Sequence, residues 1–286
     1  MEALRASYAD DNSSDSDSDS NPTPPQPSAS TSITPLPPPP ISLLHPPNSL
    51  VPLDSLPTSQ VNRVRSFPHV EGNYALHVYI PVHIPSATRK ELASFLKKVT
   101  TLVPTLHAVD VDVPLSSLLK DEALLEKVVL GREFHISLGR TVPLRVHQIN
   151  SIVSMLRQKL QFQRRYLIDF NKWEIFVNDD STRTFMSLEV VAGGLAQIRK
   201  QIQAVNEVYK LHNLPEFYKD PRPHISLAWT LGDIRDTLKR MVEEEEMKKY
   251  KAGSSSHQRC IFTSKFNGIL CKIGNKMHEI WRFQEE

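Results

Sequence analysis

Two stretches of the 286-residue chain repeat the same four residues, His135-Ile136-Ser137-Leu138 and, 89 positions later, His224-Ile225-Ser226-Leu227. Each sits in a short apolar run of the kind that forms a half-buried strand. In a strand, residues i and i+2 share a face. His135 therefore points with Ser137 and His224 with Ser226, while Ile136, Leu138, Ile225 and Leu227 turn toward a core. An imidazole with its ordinary pKa near ~6.5 takes or gives a proton at neutral pH. Two of them on opposite sides of a phosphorus supply base and acid to one step, each contributing roughly 10²–10⁴-fold. The Ser137 and Ser226 hydroxyls are short donors suited to non-bridging phosphate oxygens, where charge grows in the transition state. A lone strand histidine is usually a satisfied structural residue, but two copies at matched places favour paired catalysis. Zinc is the other chemistry that paired histidines support. The sequence has no HExxH, no Cys-x-x-Cys and no carboxylate cluster at the motifs, so neither metal nor cofactor is expected.

The surrounding elements must bring these strands together. Residues 74–80 alternate as a strand, with Leu76, Val78 and Ile80 on one face and His77 and Tyr79 on the other. Thr88 and Glu91 form a capping-box pattern ahead of a helix whose Leu92, Phe95, Leu96 and Val99 repeat at helical spacing up to Pro104. A short helix at 116–129, a strand at 133–139, a helix at 145–162 and a strand at 166–177 follow. The pattern then restarts: a strand at 183–191, a helix at 194–212, a strand at 223–229, a helix at 233–248 and a strand near 259–271. A polar loop at 250–257 and a last strand at 277–283 complete the chain. Two β-α-β-α-β halves predict an α+β fold of two pseudo-symmetric lobes, each a mainly antiparallel sheet with helices outside, and the active site in the cleft between them.

Composition divides the chain. Thirteen of the 22 prolines, seven acids and one base fall in residues 1–60, which leaves a formal charge of +8 on the rest although the whole is only +2. Residues 1–62 read as a disordered Ser/Asp- and Pro-rich tail, suited at most to docking protein partners or to acid-directed kinases at Ser14, Ser16 and Ser18. Residues 63–286 read as one domain with structure beginning near Phe67, moderately basic, which fits a phosphate-bearing ligand. There is no run of 18 apolar residues and no apolar leader at the N-terminus, so no membrane association is expected. Cys260 and Cys271 are too few for a disulfide framework and are expected to be reduced, in an intracellular compartment.

Paired His-x-Ser strands resemble the signatures of the 2H phosphodiesterase superfamily. The FHISL and HISLAW blocks, TRTFMSLEV at 182–190 and the longer string FYKDPRPHISLAW from Phe217 to Trp229 are similar to the U6 small nuclear RNA 3′-end-processing phosphodiesterase family, over roughly residues 65–285. The resemblance implies His135 and His224 as the catalytic pair, Ser137 and Ser226 as phosphate-holding hydroxyls, and Tyr218 as an aromatic platform for the terminal base. Asp179, in the Asn178-Asp179 turn, would border the nucleotide, and Arg222 would reach a phosphate. The activity implied is metal-independent 3′→5′ trimming of the oligouridine end of U6 snRNA by a nuclear monomer, leaving a 2′,3′-cyclic phosphate. A 2′,3′-cyclic nucleotide phosphodiesterase of RNA processing and a non-catalytic RNA-binding scaffold are the alternatives. Which histidine is the base stays open at this point. The charged stretch 242–259 looks like a loop longer than the family's.

Overall fold

The computed structural model describes residues 70–251 and 260–283, without the side chains of 249–251. The expected tail over 1–62, the start near Phe67 and nearly all of the polar loop at 250–257 lie outside the described residues. Eleven strands and five α-helices are described, and every strand pairing is antiparallel. The fold is α+β, as the sequence predicts.

Strand β1 (Asn73–His83) organises the first sheet. Its C-terminal part, Tyr79–His83, pairs with β3 (Glu133–Ser137), and its N-terminal part, Asn73–Leu76, with β4 (Val142–Arg145). On its other side it pairs with β10 (Gly268–Ile273), which in turn pairs with β11 (Lys276–Arg282). The second sheet has the order β2-β8-β7-β6, from His107–Ala108, His224–Leu231, Arg183–Glu189 and Lys172–Val177. Strands β5 (Leu167–Phe170) and β9 (Phe262–Lys265) form a separate ribbon. The alternation in β1 is borne out: Leu76, Val78 and Ile80 are fully buried in one continuous apolar core that also takes in Phe134, Ile136, Ile225 and Leu227.

The sheets are not built from the two halves of the chain. Strands β10 and β11, from the C-terminal end, complete the sheet of β1 and β3, while β2, from before the first motif, edges the sheet of β8. The expected strand over 166–177 is two strands, because β5 pairs with β9 and β6 with β7, with Asn171 at the switch. The strand near 259–271 breaks in the same way into β9 and β10. Periodicity alone does not report a change of partner.

Among the helices, α1 (Ser86–Leu102) buries Leu92, Phe95, Leu96 and Val99 as its spacing requires. Each such side chain contributes roughly 1.5–3 kcal/mol on full burial. The Thr88 capping box is not formed: the helix starts two residues earlier, after extended Pro85, so Thr88 already lies in the first turn. The helix expected over 116–129 is a 3₁₀ turn (Leu115–Leu118), then α2 (Glu122–Leu125) capped by the Asp121 carboxylate, running into a π-helical turn (Glu126–Leu130). Helix α3 (Ile149–Lys159) packs on α4 (Leu195–Leu211) and on β11, and α5 (Arg235–Lys251) packs on β6. Gly194 starts α4 at φ +82, and a Cβ there would sit 2.7 Å from the Leu167 carbonyl, so glycine is required. Among the described residues no helix is long and apolar enough to cross a membrane.

Candidate active site

The first motif lies on β3, at the edge of its sheet. Phe134 and Ile136 are buried, which turns His135 and Ser137 to the opposite face, as predicted. The register sets Tyr79 opposite Ser137 and Pro81 opposite His135, so the polar face of β1 lies beside the motif. His77 Nε2 lies 3.0 Å from Ser137 Oγ, and its ring meets His135 edge to face at 4.9 Å between centroids. Tyr79 stacks on His77 at 5.0 Å. The His135 side chain keeps 35% of its surface exposed, too open for a sealed core histidine. Its Nδ1 faces Asp110 Oδ2 at 3.8 Å, and the same oxygen accepts a hydrogen bond from Arg132 Nη1 at 3.1 Å.

The second motif lies on β8, between β2 and β7. A one-residue bulge at Leu227 lets Ser226 face Ser187 while Ala228 faces Met186. The Ser187 and Ser226 hydroxyls are 2.9 Å apart, and Ser187 is fully buried. His224 Nδ1 is 2.7 Å from the Arg222 carbonyl. A carbonyl only accepts, so Nδ1 carries the proton and Nε2 of the neutral ring is left with its lone pair. Phe176 of β6 stacks on the imidazole at 4.0 Å with an interplanar angle of 20°, which fixes the ring plane.

Arg222 is placed differently from the sequence expectation. Its Nε and Nη2 donate to the two Glu189 oxygens, both at 2.7 Å, and Nη2 also meets Glu174 Oε2 at 2.7 Å. Two carboxylates engage the guanidinium, because Glu189 and Glu174 share the His224 face of the sheet and are largely buried. Through its carbonyl, Arg222 orients His224. Tyr218 and Asp179 do come together: the phenol hydroxyl donates to Asp179 at 3.2 Å, and the Arg140 guanidinium lies 4.1 Å above the Tyr218 ring while donating to Asp179 at 3.2 Å. Arg140 follows Ser137 by three residues, Asp179 is in the β6–β7 turn and Tyr218 precedes β8, so this trio links the segments that flank both motifs.

Strands β3 and β8 lie against one another although they belong to different sheets. The two imidazoles sense each other: burial lowers the His224 pKa most, the Arg222 carbonyl and Glu189 oppose that, and a charge on His135 lowers it further. Burial likewise lowers His135, opposed by Asp110 and Glu133 and reinforced by Arg132 and Lys272. Both rings are thus mainly neutral at pH 7 before a phosphate arrives, and the phosphate's negative charge favours adding one proton to the pair. Such a pair can remove one proton and deliver another across a bound phosphodiester. Among the described residues, no group of three or more His, Cys, Asp or Glu is arranged to hold a metal ion.

Four groups that the sequence reading gave no role stand at the site: His77, Asp110, Phe176 and Ser187. The outward face of β1 was the visible signal for His77, and the TRTFMSLEV segment contains Ser187, but neither segment reveals its register.

Residues 37–281 match the family model HVSL, described as an uncharacterised conserved protein. The chain is 33% identical over 214 residues to U6 snRNA phosphodiesterase 1 of Mus musculus, covering 75% of this chain and 71% of the relative. It is 34% identical over 219 residues to that of Homo sapiens, covering 77% and 73%. A structure of Usb1 from Kluyveromyces marxianus aligns with a TM-score of 0.49 at 11% identity, over 72% of this chain and 97% of that one. On sequence kinship with these relatives, the chain belongs to the U6 snRNA phosphodiesterase 1 family.

Proposed function

We propose that this chain is a 3′→5′ exoribonuclease that trims the oligouridine 3′ end of U6 snRNA in the nucleus, with one catalytic domain over 63–286, working as a monomer. The observation that carries the reading is the approach of two His-x-Ser strands from separate sheets, each with its histidine's Nδ1 turned to a protein group. In the step proposed, the 2′-oxygen of the penultimate ribose attacks its own 3′ phosphorus and the bond from phosphorus to the departing 5′-oxygen breaks. One of His135 and His224 removes the 2′-hydroxyl proton, and the other protonates the leaving oxygen. Ser137 and Ser226 donate to the non-bridging oxygens, and Tyr218 stacks on the terminal base, worth roughly 1–3 kcal/mol. Asp179 borders that base. The product ends in a 2′,3′-cyclic phosphate. The charge of +8 outside the first 60 residues favours a polyanionic ligand.

The test is cleavage of an oligouridine by purified protein in EDTA, beside His135→Ala and His224→Ala. Full wild-type activity in EDTA and loss of about 10²-fold or more in each variant are expected. Loss of wild-type activity in EDTA, or survival of activity in both variants, refutes the proposal.

A further inference from the structure

The loop between β2 and the Leu115–Leu118 turn is held in an unusual shape. Asp110 and Asp112 have φ of +66 and +53, a region that residues other than glycine enter at some cost. The loop is fastened to the second motif strand. His107 and Ala108 pair with Trp229 and Ala228, the Val109 amide donates to the Leu227 carbonyl at 3.3 Å, and the Trp229 indole donates to Asp112 at 3.1 Å. Inside the loop, the Asp112 amide donates to the Ala108 carbonyl at 3.0 Å and the Ala108 amide to Val113 at 2.8 Å. A short segment anchored on β8 thus carries Asp110 across to the other sheet, where its carboxylate meets His135 Nδ1 and Arg132.

We infer that Asp110 is a positioning residue for His135: a carboxylate delivered from the second motif strand that keeps the His135 Nδ1 proton on the protein side and Nε2 toward the phosphate. The inference rests on the proposed acid–base role of His135. At 3.8 Å the contact is an ion pair and not a hydrogen bond, and a carboxylate there favours a proton on the nitrogen it faces and favours the imidazolium over the neutral ring. The groups around His135 are His77 and Tyr79 on β1, Arg132 and Glu133 at the start of β3, Lys272 on β10 and His224 on β8. Arg132 and Lys272 disfavour a positive ring, and Asp110 is the largest influence opposing them. The two histidines are held differently: His224 donates to a neutral carbonyl, whereas His135 faces a charged carboxylate. The strained loop is what allows a residue of the second sheet to serve the first.

The test is Asp110→Asn, which keeps the shape, tolerates positive φ and removes the charge. Removing the negative charge 3.8 Å from Nδ1 takes away the main influence that raises the His135 pKa against burial. The limb of the kcat–pH profile governed by His135 is expected to move to lower pH, while the other limb stays. With His135 as the acid kcat falls at pH 7, with His135 as the base only the acidic limb moves, and in both cases the affinity for a 2′-deoxy oligouridine is unchanged. A uniform loss at every pH, a loss confined to affinity, or no change in the profile overturns the inference. Nuclear magnetic resonance titration of the His135 ring in wild type and Asp110→Asn gives the same comparison without turnover. Equal His135 titration in both proteins overturns the inference even if the wild type cleaves RNA. A lowered His135 pKa in the variant upholds the coupling even if oligouridine proves not to be the substrate.

Discussion

Ser187 should be felt in catalysis through Ser226. It is fully buried on β7, and its Oγ lies 2.9 Å from Ser226 Oγ, at the place where the β8 bulge brings the two residues opposite each other. Ser187→Ala leaves Ser226 in place but frees its hydroxyl to sample other staggered positions. The hydrogen bond lost is worth about 0.5–1.5 kcal/mol net, which corresponds to about a 2–13-fold fall in kcat/KM. Removing the proposed phosphate donor itself, in Ser226→Ala, should cost about 10²–10³-fold. Because one hydroxyl acts only through the other, the effects should not add. A double-mutant cycle on oligouridine cleavage reads this directly: Ser187→Ala is expected to reduce activity in the wild type and to change nothing further in a Ser226→Ala background. The same loss in both backgrounds, or no loss in either, refutes the reasoning.

Arg222→Ala removes the guanidinium from two carboxylates and leaves only Lys172, 2.6 Å from Glu174 and 3.9 Å from Glu189, whose side chain is only 7% exposed. With Arg222 itself 38% exposed, the stability loss is expected at or below the roughly 3 kcal/mol lower bound for a buried pair; a large rise in KM with unchanged Tm would instead place Arg222 on the RNA. Tyr218→Ala should raise KM by about 5–150-fold, from a stacking contribution of roughly 1–3 kcal/mol, while Tyr218→Phe keeps most of the affinity; equal losses in both would refute stacking. Burial chiefly, and a nearby His135 charge, push the His77 pKa down to about 3 from 6.5. Between those values the unfolded chain binds the proton that the folded one refuses, so stability should fall as pH drops from 6.5 toward 3, by up to about 1.4 kcal/mol per unit. Urea unfolding across that window is expected to show a shallower slope for His77→Gln, and an unchanged slope would contradict it.

The reach of the sequence differs from element to element. His135 with Ser137, and His224 with Ser226, were legible because a two-residue period fixes a face whatever the strand pairs with. The apolar stripes of α1 and α4 were legible for the analogous helical reason. Partner choice was not legible: nothing local tells β10 to join β1, β2 to join β8, or the chain at Asn171 to change sheets. Register was hidden too, and with it His77 behind Ser137 and Ser187 behind Ser226. Asp110 was the least visible, since its contact depends on a positive-φ loop crossing between sheets. The pairing of Arg222 with Glu174 and Glu189 was hidden for the same reason, since only the register of β6, β7 and β8 puts the two carboxylates on its face of the sheet.

The central claim is that the ribose 2′-oxygen is the nucleophile between His135 and His224. Single-turnover cleavage of an oligouridine lacking only the penultimate 2′-hydroxyl, beside its all-ribose parent, tests it most directly. No release of the terminal nucleotide is expected from the deoxy substrate, and a 2′,3′-cyclic phosphate on the parent's product is expected as the first species detected by mass. Cleavage of both substrates at equal rates would contradict it.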